Sequence, residues 1–125
     1  MNAKMSGAEA VVQRQLDAYN ARDIDAFMAV WADNARCFEH PAKLIAQGAD
    51  EIRARHALRF KEANLSARLV HRMSVGNNVI DREIVTRTFP EGPGTIDVIA
   101  IYEVAGGRIA NAWFIFGTPV LEKAA

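Results

Sequence analysis

From Asn64 to Gly117 apolar and polar side chains alternate, and three turn signals cut the stretch: GNN at Gly76, PEGPG at Pro90 and GG at Gly106. Period-two patterning with such short interruptions leaves one solution. The chain must fold back on itself as antiparallel strands, because a parallel return needs a crossover of about a dozen residues or more. Four consecutive strands are expected, over roughly residues 65–75, 78–89, 95–105 and 107–117.

The residues ahead of this meander follow a helical period. Ser6 with Glu9 forms a capping box, and Val12, Leu16 and Tyr19 recur behind it, giving a first helix that ends near Asn20. Asp23 can cap a second helix with the apolar stripe Ile24, Phe27, Met28 and Trp31. Ala32 to Ala35 breaks that period. A short strand is expected from Arg36, interrupted by Pro41, with Lys43 to Gln47 as its hairpin partner. Gly48 ends the hairpin, and Asp50 and Glu51 place negative charge in the first turn of a third helix, which carries Ile52, His56 and Phe60 on one face. Segregated helices and an antiparallel sheet define an α+β protein.

With 125 residues the chain has room for one core, hence one domain over 1–125 with an ordered part of about 6–118. Cys37 stands alone, so no disulfide forms within the chain. Fifteen basic and fifteen acidic residues cancel, which argues against nucleic acid and anionic membranes as partners. Residues 1–10 contain Lys4 but no apolar run, so neither a signal peptide nor a membrane span is expected, and the cytoplasm is the expected compartment. The last two strands are apolar on both faces: Ile99 and Ile101 oppose Val98 and Ala100, and Trp113 and Ile115 oppose Ala112 and Phe114. Helices can cover one face. A second copy of the chain is the expected cover for the other, giving a homodimer.

Three segments, Tyr19 to Ala35, Gly48 to Phe60 and Gly106 to Gly117, resemble the SnoaL-like proteins of the nuclear transport factor 2-like superfamily, which includes ketosteroid isomerase. The resemblance implies a cystatin-like cone: a curved antiparallel sheet and three helices around an internal pocket. It also implies a small apolar molecule as ligand. Residue by residue, His40 before Pro41 stands where ketosteroid isomerase has its carboxylate base. The two oxyanion donors of that enzyme fall at Gln15 and near Ala100, so its mechanism is not expected here. Relatives of limonene epoxide hydrolase need an arginine between two aspartates; here Glu83 and Phe114 occupy the arginine and second aspartate positions. Cyclases of the family need an acid on the last strand, which has none.

His40 is therefore the first candidate catalytic residue, since an imidazole titrates near neutral pH without help. Asp81 and Glu83, two apart on one strand, share a face and form a second candidate site, because paired carboxylates raise one another's pKa. Hydrophobicity alone would turn Ile80 and Ile84 inward instead; the resemblance favours the acids, with His71 on the preceding strand as their partner. Tyr19, Phe27, Trp31, Phe38, His56, Phe60, His71 and Phe114 are the expected pocket wall. The histidines and acids match no metal-ligand spacing, so no metal and no cofactor are expected. Cys37 reads as packing, and no nucleophile elbow or phosphate loop is present. Two readings stand: a cofactor-independent acid/base enzyme of isomerase, hydratase or cyclase type, and a non-catalytic dimeric ligand-binding or scaffold module.

Overall fold

Ser6 and Glu9 close the capping box that their spacing predicts, the Ser6 Oγ accepting from the Glu9 N–H at 3.1 Å and the Glu9 carboxylate accepting from the Ser6 N–H at 2.9 Å. They start α1, Gly7–Ala21, in a computed structural model that describes residues 5–122. Residues 1–4 and 123–125 of the expected domain lie outside this range. Arg22 ends α1 in the left-handed region, and Asp23 caps the short α2, Ile24–Met28, by accepting from the Ala26 N–H. Strands β1, Trp31–Glu39, and β2, Lys43–Gln47, precede α3, Ala49–Arg59. The meander follows as β3, Ser66–Val75; β4, Asn78–Phe89; β5, Gly92–Ala105; and β6, Arg108–Phe116, with a final β7, Val120–Leu121.

The strands form one curved, unclosed sheet in the order β2-β1-β6-β5-β4-β3, and β7 adds to β5 beyond the end of β6. All three helices lie over its concave side: α1 packs on β3, β4, β5 and β6, and α3 on β1 and β2. The core lies between these layers, centred on Val12, Phe27, Trp31, Ile52, Val79, Tyr102 and Ile109. The result is the α+β cone expected from the sequence.

Three local expectations are corrected. Trp31 does not extend α2; it opens β1, which begins five residues ahead of Arg36, because its backbone pairs in parallel with β6 at Ile109. No local period reports so distant a partner. Strand β5 begins at Gly92 rather than 95, taking in part of the PEGPG turn. Gly94 permits this, since a Cβ there would sit 2.4 Å from the Val120 carbonyl of β7. The alternation in β6 also slips. Glu103 and Val104 are consecutive on β5 yet pair with Asn111 and Ile109, so Ala110 is bulged and Ile109 joins the inner face with Ala112 and Phe114.

Candidate functional site

On β4 the odd-numbered residues Val79, Asp81, Glu83 and Val85 face inward and are buried, and Ile80 and Ile84 face the convex side, half-buried. Asp81 is 1% exposed and Glu83 7%. Two carboxylates in such a place need a cation. It comes from Arg72, not His71. Leu69 pairs with Glu83 and His71 with Arg82, so Val70 is an extra residue, a β-bulge that reverses the facing of everything after it. His71 is thereby turned outward and exposed, and Arg72 inward beside Asp81. Its guanidinium grips Asp81 with two parallel bonds, Nε to Oδ1 at 2.7 Å and Nη2 to Oδ2 at 2.8 Å, and gives a third to Gln13 Oε1 at 2.9 Å.

Glu83 has no ion pair among the described residues. Burial pushes its carboxyl up to about 7, the neighbouring Asp81 charge adds to the rise, and Arg72 opposes it. A carboxyl at that value exchanges protons at neutral pH in both directions.

Glu83 faces a cavity of about 140 Å³ under the helices. Its wall includes Gln15 and Tyr19 of α1, Trp31 and Cys37 of β1, Arg55, His56 and Arg59 of α3, Val98 and Tyr102 of β5, and Phe114 and Phe116 of β6. A cavity of about 150 Å³ in an engineered protein holds one benzene, so the space suits a compact organic molecule. The closed end is packed by Trp31 against Tyr102, ring centroids 6.4 Å apart. The other end runs out to Phe116, which is 43% exposed. His56 Nδ1 lies 2.9 Å from the Ile52 carbonyl, which can only accept, so Nδ1 carries the hydrogen. Burial, with the charges of Arg55 and Arg59, overrides that bond and pulls the imidazole down to about 4, leaving it neutral with Nε2 a bare acceptor. Burial likewise pushes the Cys37 thiol up to about 12, too high for a nucleophile at neutral pH.

Of the residues predicted from sequence, Glu83, Tyr19, Trp31, His56 and Phe114 line this cavity, and Asp81 stands behind Glu83. His40 does not. It follows Glu39 at the end of β1, exposed, in the outward phase shared with Phe38, and its backbone N–H donates to the Phe114 carbonyl. The base position carried over from the resemblance is thus vacated by alternation. Phe38 is corrected for the same reason: Ala35 and Cys37 take the inner face, and Phe38 stacks on Trp113 at 5.7 Å on the convex face. Phe27 and Phe60 are not on the cavity surface; they form the aromatic layer behind Tyr19 and His56. Reading the sequence missed Arg72, Arg59 and Tyr102. A buried acid pair on an inner face calls for a guanidinium nearby, and Arg72 was the only one besides Arg68 on the neighbouring strand. Among the described residues, no three metal-ligating side chains lie together, and no helix is long and apolar enough to cross a membrane.

A SnoaL-like domain signature matches residues 12–112. The chain belongs to the SnoaL-like family. Among solved structures, this SnoaL-like chain is similar to an uncharacterised cystatin-fold protein from Novosphingobium aromaticivorans, with 26% identity over 90% of this chain and 99% of that one and a TM-score of 0.79. A proposed ketosteroid isomerase from Kribbella flavida matches with 13% identity, 95% and 84% coverage and a TM-score of 0.76. An epoxide hydrolase of the limonene epoxide hydrolase type from M. tuberculosis matches with 17% identity, 89% and 83% coverage and a TM-score of 0.74. At those identities the last two share the fold. No curated protein sequence matches the chain.

Proposed function

We propose that this SnoaL-like chain is a cofactor-independent acid/base enzyme acting on a small, largely apolar carbonyl compound, with Glu83 as the proton-transfer group. The observation that carries the reading is Glu83 itself: a buried carboxyl on an apolar cavity, pushed up to about 7, beside an acid already neutralised by Arg72. As carboxylate, Glu83 takes a proton from the carbon next to the carbonyl, leaving an enolate. As carboxylic acid, it returns the proton to the same carbon or to a conjugated one. Arg72 and Asp81 act as positioning residues, since their two parallel bonds fix the charged group beside Glu83. The similar structures of a proposed ketosteroid isomerase and an epoxide hydrolase support a catalytic use of this fold.

Deuterium wash-in at the α-carbon of small ketones such as cyclohexanone, followed by NMR in D₂O, tests the reading. Exchange should rise with pH through about 7 and then level off, because the base is the carboxylate. Glu83→Gln should lose on the order of 10²–10⁴ in rate, and His40→Ala should lose nothing, its side chain being exposed. Equal exchange by wild type and Glu83→Gln would leave the rival reading, a ligand-binding module, in its place.

A further inference from the structure

Three buried polar atoms have no hydrogen-bond partner among the described residues: Gln15 Oε1, Trp31 Nε1 and Arg59 Nη1. All three belong to side chains that line the same cavity. Buried polar groups are nearly always paired, so their gathering on one cavity wall points to a ligand that pairs them. An indole N–H and a guanidinium N–H only donate, so what both lack is an acceptor. The Gln15 amide can turn its nitrogen to the cavity and add a further donor.

The two donors stand at opposite ends of the cone. Trp31 pairs with Ile109, and Ile109 with Val104, at the closed end near Tyr102. Arg59 Nη1 forms an ion pair with Glu62 at 3.7 Å, too long for a hydrogen bond, and Glu62 is also held at 3.1 Å by Arg87, at the far end of β4 where Arg87 faces Gly94. Arg55 lines the cavity too and has no ion pair among the described residues. Arg59 and Arg87 thus share one carboxylate, Glu62, while Arg55 on the same wall has none among the described residues, and this end carries excess positive charge. Between the ends the wall is apolar apart from Glu83, with Val85, Val98 and Phe114.

We propose that the ligand is an amphipathic keto acid, which enters with its carbonyl oxygen toward Trp31 Nε1 and leaves its carboxylate at the Arg59 end. The ketone rests on the proton-transfer reading of Glu83; the acceptor oxygen follows from the donors without hydrogen-bond partners, and the negative charge from the excess of arginines at the Arg59 end.

Three probes of one length separate the parts: 6-oxoheptanoate, 2-heptanone without the carboxylate, and heptanoate without the ketone. Calorimetric titration should rank 6-oxoheptanoate about tenfold or more tighter than either partner, since each added bond to a buried donor contributes about that factor. The Trp31 indole resonance, assigned against Trp113→Phe protein, should move with 6-oxoheptanoate and 2-heptanone. Arg59→Met should weaken both acids about tenfold and leave 2-heptanone unchanged, which also shows that the variant is folded. Equal affinity for all three probes, no binding of any, or an indole resonance that never moves would overturn the proposal. The same titrations in Glu83→Gln protein keep binding apart from catalysis. Preference for the keto acid there, without exchange in wild type, removes the enzyme and keeps the ligand; exchange without preference does the reverse.

Discussion

Burial acts on Glu83 and His56 in opposite senses because it penalises whichever form carries charge. Glu83 is raised from 4.5 to about 7, with the Asp81 charge adding to burial. The folded state therefore holds that proton more tightly than the unfolded state, and the stability it contributes is complete below pH 4.5 and lost as pH rises through about 7. His56 is lowered from 6.5 to about 4, so its contribution is present above pH 6.5 and lost as pH falls through about 4. Each effect is on the order of 3 kcal/mol, and over the shared window they cancel in the wild type. Removing one should unmask the other. In urea unfolding, the stability of Glu83→Gln minus that of wild type should climb by a few kcal/mol, about 3 at most, between pH 4.5 and 7. A difference that stays flat across that range would mean that Glu83 titrates as an ordinary carboxyl, and the acid/base proposal would go with it.

At the scale of an element, β3 decides the site by one extra residue. Without the bulge at Val70, strict alternation would place His71 beside the acids, as the sequence suggests, and send Arg72 to solvent. With it, a permanently charged fork stands beside Asp81 in place of an imidazole. Arg72→Met should cost about 3–5 kcal/mol, because Asp81, at 1% exposure, is left as an uncompensated buried charge. Arg72→Met with Asp81→Asn should recover most of that in the same denaturant titration, since the second change removes the stranded charge. Failure to recover would assign the loss to packing of the arginine stem against α1, near Gln13, instead of to charge. His71→Ala, on the exposed outward phase, is the matching control and should change stability little.

For the whole molecule, the convex face of the sheet carries Ile99, Ile101, Phe38 and Trp113, half-buried, with Ile115 exposed, all on neighbouring strands. The Arg82–Asp97 ion pair lies at one margin, and the chain of Arg36, Asn111 and Glu103 at the other. An apolar centre with a polar border is the anatomy of a protein interface, and we propose a second copy as its cover. Ile101 pairs with Trp113 in the middle of the patch. Ile101→Glu should therefore turn a dimer into monomer or aggregate in light scattering, with little change in ligand binding, because the cavity lies on the other face. A wild-type chain that scatters as a monomer at micromolar concentration would remove the proposal.

Much of this architecture is written in local patterns. The period-two run places β4 at Asn78–Phe89, as expected from the sequence, and the Ser6–Glu9 box starts α1, because caps and alternation depend on residues a few positions apart. Motifs spaced along the chain likewise sufficed for the family and its cone. What the tertiary structure alone decided is registration. The bulges at Val70 and Ala110, and the parallel pairing of Trp31 with Ile109, arise where one strand meets another, and each changes which side chains face the cavity. Hence Glu83, Tyr19, Trp31, His56 and Phe114 were legible as site residues, but His40, Phe38 and His71 faced outward, and Arg72 entered unannounced. In a sheet, a slip of one residue exchanges inside for outside, and no pattern within a single strand records the slip.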